Sequence, residues 1–333
     1  MRRILPLILV ALGAIPVLLF FFLFVGKAPA AESITWGVNF SQKHAANFGL
    51  DWKKAYLAIL EDLGAKELKI ATYWDFLEPQ NNQFSFEDMD WQINEAASHG
   101  AKVLLVVGMK TPRWPECHIP AWALGFSKKE QQEAILEMLR AVAERYKNSP
   151  SLSAWQVENE PFFPFGECPW QDAAFLQKEI GLVQSIDSEH PVFTSESGEL
   201  SLWIRASLSG DKVAVTMYRK AWFEQFRSYV DYPFPPVFYW RKAWLIDRLF
   251  SQEVIVGELQ AEPWGPKLLY DVSLEEQRKT MNPEQFRSNI VFARATGLNT
   301  FYLWGAEWWY WMKEVHGQEE IWQEAKSLFS TNQ

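Results

Sequence analysis

Eight short apolar runs recur along the chain from Ile34 onward, and stretches with the spacing of one-sided helices lie between them. The runs are Ile34–Asn39, Glu67–Thr72, Lys102–Val107, Leu152–Val157, Val192–Ser195, Val213–Met217, Val254–Gly257 and Thr300–Leu303. Trp52–Leu63, Lys129–Tyr146 and Ala173–Ile186 read as amphipathic helices; in the second, Ile135, Leu136, Leu139 and Val142 share one face. Alternation of this kind requires parallel strands joined by crossover helices. Eight units in about 300 residues match a closed (β/α)8 barrel. An open doubly wound sheet is the alternative, but no GxGxxG follows the first run and no phosphate-binding loop occurs. The expected fold is α/β: a single (β/α)8 TIM barrel over residues 32–333, preceded by an N-terminal hydrophobic helix.

Arg219–Gln252 fits the pattern least well, because Tyr232-Pro233-Phe234-Pro235-Pro236 breaks any helix through its middle. Val237–Phe250 can still supply the sixth helix. The aromatic loop before it reads as an ordered excursion packed on the barrel, with a lid, a cleft wall or a membrane-contacting edge as alternatives.

At the N-terminus, Met1-Arg2-Arg3 precedes an uncharged run from Ile4 to Val25. A helix of that length would span roughly 33 Å, about the hydrocarbon thickness of a bilayer. The run is longer than the apolar part of most cleaved signals, which favours a retained anchor. Ala28-Pro29-Ala30 offers a small-x-small cleavage site, so residues 1–31 read as a signal-anchor or a signal peptide. In either case Arg2 and Arg3 stay cytoplasmic and the body faces outward, membrane-tethered or secreted.

Net charge narrows the partners. The chain carries 32 basic against 41 acidic residues, and Arg2, Arg3 and Lys27 are the only charges before Glu32. The body is therefore more acidic than the whole-chain net of −9 implies, which argues against nucleic acid. Two cysteines and five scattered histidines leave little material for a metal centre, and no cofactor is expected. Aromatics are abundant, with 18 Trp, 24 Phe and 10 Tyr, and such rings either fill a core or carry sugars and bases.

Active sites of such barrels lie at the C-terminal strand ends. The fourth strand candidate runs into Glu158-Asn159-Glu160-Pro161, and the seventh into Gly257-Glu258-Leu259-Gln260. Three strands apart in a ring of eight, their carboxylates can face each other across the barrel mouth. Paired carboxyls suit acetal hydrolysis, one protonating the leaving oxygen while the other attacks or activates water.

Asn159-Glu160-Pro161 together with a Glu closing the seventh strand resembles the retaining β-glycosidases of glycoside hydrolase clan A, which include cellulases, mannanases, xylanases and β-galactosidases. The resemblance extends to Trp74-Asp75-Phe76-Leu77-Glu78-Pro79 after the second strand and to Gly108-Met109-Lys110-Thr111-Pro112-Arg113-Trp114 after the third. Tyr218 and Trp304 close the sixth and eighth strands, where the clan places active-site aromatics. The resemblance implies Glu160 as acid/base, Glu258 as nucleophile and Asn159 as the partner of the sugar 2-hydroxyl. It also implies a carboxyl that is protonated at rest at Glu160 and a Tyr218 hydroxyl that favours ionised Glu258.

In one respect the chain departs from the pattern. Many clan members carry an arginine on the second strand near the nucleophile, and here Leu68-Lys69-Ile70 puts a lysine there, a point charge rather than a fork. Glu262, four residues past Glu258, is the nucleophile if the seventh strand runs further. Gly257-Glu258 directly after the apolar run favours the earlier residue.

Other residues have plainer readings. Glu158, Glu167, Glu196 and Glu199 read as solvated or capping carboxylates, Glu78 as structural, and His44 and His118 as surface or hydrogen-bonded histidines that could touch substrate. Trp36, Trp155 and Trp203 read as packing, Trp304 as the floor under the reacting sugar, and Trp114, Trp264, Trp308 and Trp309 as platforms for further sugar units or as loop walls. Cys117 and Cys168 fall in neighbouring loops, where export permits a disulfide without requiring one.

The expected protein is a retaining β-glycoside hydrolase acting on an extracytoplasmic β-linked oligo- or polysaccharide. A transglycosylase would use the same residues, and a membrane-tethered glycan-binding barrel without turnover is the non-enzymatic rival.

Overall fold

The computed structural model describes residues 15–330. Eight parallel strands close into a barrel: β1 (Thr35–Phe40), β2 (Glu67–Ala71), β3 (Lys102–Val107), β4 (Leu152–Val157), β5 (Val192–Glu196), β6 (Lys212–Met217), β9 (Val254–Gln260) and β10 (Thr300–Trp304). Each pairs in parallel with its sequence neighbour in the barrel, and β10 returns to β1. The two remaining strands, β7 (Lys220–Phe223) and β8 (Ser228–Asp231), form an antiparallel hairpin outside the ring.

The strand residues alternate between two cores, as the period of two demands. Leu104, Val106, Ala154, Phe193, Ala214 and Ile255 point into the barrel. Val103, Leu105, Trp155, Val215 and Val256 point outward to the helices. Helix ends are fixed locally: Ser127 and Glu130 close a capping box on Lys128–Tyr146, and Asp172 caps Ala173–Ile186 through the backbone of Ala174 and Phe175.

Strand and helix positions agree with the sequence pattern to within a few residues. The Arg219–Gln252 stretch carries a feature that the pattern lacks, the β7–β8 hairpin, ahead of the helix Pro236–Phe250. Pro236 opens that helix, at a position where its missing N–H is not needed.

The expected membrane-crossing helix falls partly on residues 4–14, outside the described residues. Residues 15–24 are helical. Among the described residues no helix is long and apolar enough to cross a membrane. The segment lies against the Pro236–Phe250 helix: Phe24 packs 5.3 Å from Phe238, and Arg241 donates to the Phe22 and Val25 carbonyls.

Candidate active site

Glu258 owes its direction to a break in strand register. Val215 pairs with Val256, but the next residue, Thr216, pairs with Glu258; on the other side β10 shifts between Phe301 and Leu303. The extra residue forms a bulge at Gly257–Glu258. With Ile255 inward and Val256 outward, strict alternation would send Glu258 into the helix layer. The bulge returns it to the barrel mouth. There Lys69 Nζ donates to Oε1 at 3.0 Å and the Tyr218 hydroxyl to Oε2 at 3.0 Å. Lys69 points inward from β2 and is only 2% exposed, so the lysine takes the place expected for the clan's arginine. Asn39 braces the same backbone by donating to the Gly257 carbonyl at 3.0 Å.

Across the mouth, β4 ends in a turn that Gln156 and Ser195 hold. Gln156 donates to the Glu158 carbonyl, Asn159 Oδ1 and Ser195 Oγ, and the Glu160 N–H donates to Ser195 Oγ at 2.8 Å. Glu158 and Glu160 both have positive φ, +59° and +41°, a conformation that costs about 1 kcal/mol or more for a non-glycine residue and concentrates at functional sites. Burial raises the Glu160 carboxyl well above the ordinary range, with the charges of Glu258 and Glu116 adding to the rise.

The carboxylates read as solvated or capping are mostly neither free nor wet. Glu158 accepts from the Met109 and Lys110 N–H groups at 2.7 Å each, which ties β4 to the loop after β3. Gly108 permits this: at φ +137° a Cβ there would lie 2.4 Å from Glu158 Oε1. Glu179, buried on the Ala173–Ile186 helix, is pushed up by burial and by Glu158. Glu199 accepts from the Tyr218 N–H at 2.7 Å and the Tyr239 hydroxyl at 2.9 Å, and burial raises it to about 7. Glu196 is buried as well, and Glu167 is exposed. Glu78 has a structural role, accepting from Trp74 Nε1 and the Asn82 N–H.

Glu262 lies in a second buried array. Arg113 pairs with Glu262 and Glu307 and lays its guanidinium 3.8 Å from the Trp304 ring centroid. Burial alone would raise Glu262, but the Arg113 charge and His44, 3.5 Å away, hold it at about 2. Both acids are thus paired with a cation, Glu262 with Arg113 and Glu258 with Lys69, and it is Glu258 whose charge acts most strongly on Glu160. His118 is buried, with Lys43 Nζ 2.9 Å from Nδ1; burial and that charge lower it to about 3, so it is neutral at pH 7. The space between Asn39, Lys69, Tyr73, Arg113, Trp304 and Glu307 amounts to about 10 Å³, room for about one water.

The aromatics divide. Trp114, 44% exposed, starts a line of rings through Phe165 (6.1 Å) and Trp264 (5.7 Å) to Tyr218 (5.0 Å) beside Glu258. Trp308 does not belong to it. Its ring is buried and its Nε1 donates to Gln277 Oε1 at 2.7 Å, so it has no free face for a sugar. Trp309 is likewise core, donating to the Ala261 carbonyl. Trp36, Trp155 and Trp203 are buried packing residues. Cys117 and Cys168 form a disulfide between the loops after β3 and β4.

Arg113, Glu116, Glu307 and Phe165 carry much of this geometry without having been singled out in the sequence. For Arg113 the available signal was its place in the segment after β3 that resembles the clan. Glu116 and Phe165 lie in loops without periodicity, and Glu307 is buried in the first turn of the helix Ala306–His316.

The sequence model of glycosyl hydrolase family 10 matches residues 53–182. The β-galactosidase Bga of Halorubrum lacusprofundi is 26% identical over 128 residues, 33% of this chain and 18% of that protein. The β-galactosidase BgaB of a Geobacillus species is 30% identical over 118 residues, 30% of this chain and 18% of that one. The match thus spans about a fifth of the length of these curated relatives. Among solved structures, the Halorubrum lacusprofundi β-galactosidase superposes with a TM-score of 0.57 at 17% identity, covering 81% of this chain and 52% of that one. A GH5_18 protein from Streptomyces cattleya in complex with GlcNAc gives 0.58 at 15%, covering 83% and 71%. The β-galactosidase of Rahnella sp. R3 gives 0.60 at 13%, covering 92% and 57%. The fold is that of these (β/α)8 glycosidases. The chain resembles clan A glycoside hydrolases in sequence as well as in architecture.

Proposed function

We propose that the chain is a retaining β-glycoside hydrolase that cleaves a β-linked oligo- or polysaccharide outside the cytoplasm. The observation that carries the reading is the opposed setting of two carboxyls at one barrel mouth. Glu160 sits where burial and negative neighbours favour its proton, whereas Glu258 receives a lysine ammonium and a tyrosine hydroxyl.

In the first step a Glu258 oxygen bonds to the anomeric carbon. The bond to the leaving oxygen breaks as Glu160 gives that oxygen its proton. In the second step Glu160, now ionised, takes a proton from water, whose oxygen bonds to the anomeric carbon and releases Glu258. Lys69 and Tyr218 hold the nucleophile in line, and Asn159 engages the 2-hydroxyl. Trp304, buried with the Arg113 guanidinium laid over its ring, backs the floor of the mouth without offering that face to a sugar, and Trp114 and Trp264 flank the leaving side. The names of the relatives make β-galactosides the first substrates to try.

Two features support a site outside the cytoplasm: the Cys117–Cys168 disulfide, a bond that persists in oxidising compartments, and the apolar N-terminal run behind Arg2 and Arg3. A need for detergent during extraction, with Met1 retained, would support tethering; a mature chain starting near Ala31 would mean secretion.

The test is sugar release by the full chain and by Glu160→Gln on a panel of β-galactans, mannans, xylans and glucans. Release by the parent alone supports the assignment. Equal release by both removes Glu160 from the acid role. Binding without release points to a glycan-binding barrel.

A further inference from the structure

We propose that Glu116 is a positioning residue for this reaction: its buried carboxyl holds the Asn159 carboxamide and couples to the charge state of Glu160. The proposal rests on the hydrolase reading of Asn159 and Glu160.

Three local devices aim this side chain. The loop after β3 turns back on itself, with the Glu116 N–H donating to the Arg113 carbonyl at 2.7 Å and the Thr111 N–H to the Glu116 carbonyl at 2.9 Å. The next residue, Cys117, is fixed to Cys168. Gly166, at φ +91°, leaves room for the side chain, since a Cβ there would lie 2.5 Å from Glu116 Cβ. Glu116 itself holds φ +73°, a strained value for a non-glycine residue.

The side chain ends 5% exposed, with Oε2 accepting from Asn159 Nδ2 at 3.1 Å. Asn159 Oδ1 is already engaged by Gln156 and Ser195. Both ends of the carboxamide are therefore held, and the second Nδ2 hydrogen is left for a substrate hydroxyl. The titratable groups facing Glu116 are Lys110 from the loop after β3, Glu258 from β9, Lys69 from β2, Tyr73 just beyond β2 and Glu160 beyond β4. Burial pushes Glu116 up to about 8 against the Lys110 charge, with Glu258 adding to the rise. The charge on Glu116 raises the Glu160 carboxyl, so a proton bound by Glu116 makes Glu160 easier to ionise.

The experiment uses the full chain and its Glu116→Gln, Glu116→Ala and Asn159→Ala variants, with two readouts. The first needs no substrate: the Glu160 side-chain carboxyl is followed by ¹³C NMR titration. In Glu116→Gln it loses a negative neighbour and titrates at lower pH. The second is the pH profile of kcat/KM, whose alkaline limb moves to lower pH in the same variant. Glu116→Ala lowers kcat/KM by roughly 10- to 100-fold; Gln, which keeps an oxygen acceptor, recovers a large part of that loss. Glu116→Ala and Asn159→Ala combine less than additively, because they disable one unit.

A Glu160 titration and an alkaline limb that superimpose on the parent's would overturn the proposal, as would additive losses. If the parent shows no turnover on any glycoside while the Glu160 titration still shifts, the hydrolase reading falls and the coupling stands.

Discussion

Replacing Arg113 by methionine tests how the acidic floor of the barrel mouth is held together. In the parent, one guanidinium serves two buried carboxylates, Glu262 and Glu307, and covers the Trp304 ring. Methionine fills a similar volume but leaves both acids without their cation. Breaking a buried pair in this way costs about 3–5 kcal/mol at neutral pH. The Glu262 carboxyl gives an independent figure: a fall from 4.5 to about 2 corresponds to about 3 kcal/mol of stability.

Because this pKa is depressed in the fold, that stability is fully present above pH 4.5 and is lost as pH falls towards 2. The gap between parent and variant should therefore narrow on acidification, by about 1.5 kcal/mol between pH 7 and pH 3.5. Urea unfolding at the two pH values measures both numbers. Arg113→Lys, which keeps a charge but not the fork or the stacking, should fall between. A gap below about 1 kcal/mol at pH 7, or one that does not change with pH, would refute the electrostatic account of this array.

Further outcomes follow from the same geometry. Tyr218→Phe removes a 3.0 Å donor to Glu258 and should lower kcat/KM by roughly 10- to 100-fold with little effect on unfolding, as steady-state kinetics and urea melts will show. Glu160→Gln should abolish release and also stabilise the fold selectively at alkaline pH. The raised folded-state pKa means that the parent loses stability relative to the variant as pH rises above the ordinary carboxyl value, so a parent–variant difference in urea melts that stays constant with pH would contradict it. Reducing Cys117–Cys168, which closes a loop of 51 residues in sequence separation, should cost about 4 kcal/mol in the chain-entropy account, read as a shift in urea midpoint with and without reductant. Gly108→Ala should destabilise by about 2 kcal/mol or more, since its Cβ would meet the Glu158 carboxylate, and differential scanning calorimetry would register it.

Where hydrophobic periodicity sets a position, the sequence was readable. The β3 and β4 ranges and the Ala173–Ile186 helix came directly from it, and Asn159 and Glu160 were located because they follow the fourth run. Glu258 was located for a reason that alternation alone would have contradicted. The bulge that turns it inward depends on pairing with two neighbouring strands, which no local pattern records. Arg113 and Glu116 were invisible in their role because their partners come from beyond other strands, Glu262 and Asn159 from loops and Glu307 from the first turn of the helix Ala306–His316. The β7–β8 hairpin hid in an aromatic stretch with no clean alternation. Trp308 was misread for the opposite reason: a loop-like position next to Trp304 carried no sign that the ring turns into the packing and donates to Gln277.

The central claim is that Glu258 attacks the sugar while Glu160 supplies the proton. Incubation of the full chain with an activated 2-deoxy-2-fluoro β-glycoside, followed by peptide mass mapping, tests it most directly, because the fluorine slows release of the covalent intermediate. The account predicts one glycosyl adduct, carried on Glu258. An adduct on Glu262, or turnover of the parent substrate with inversion at the anomeric carbon, would contradict it.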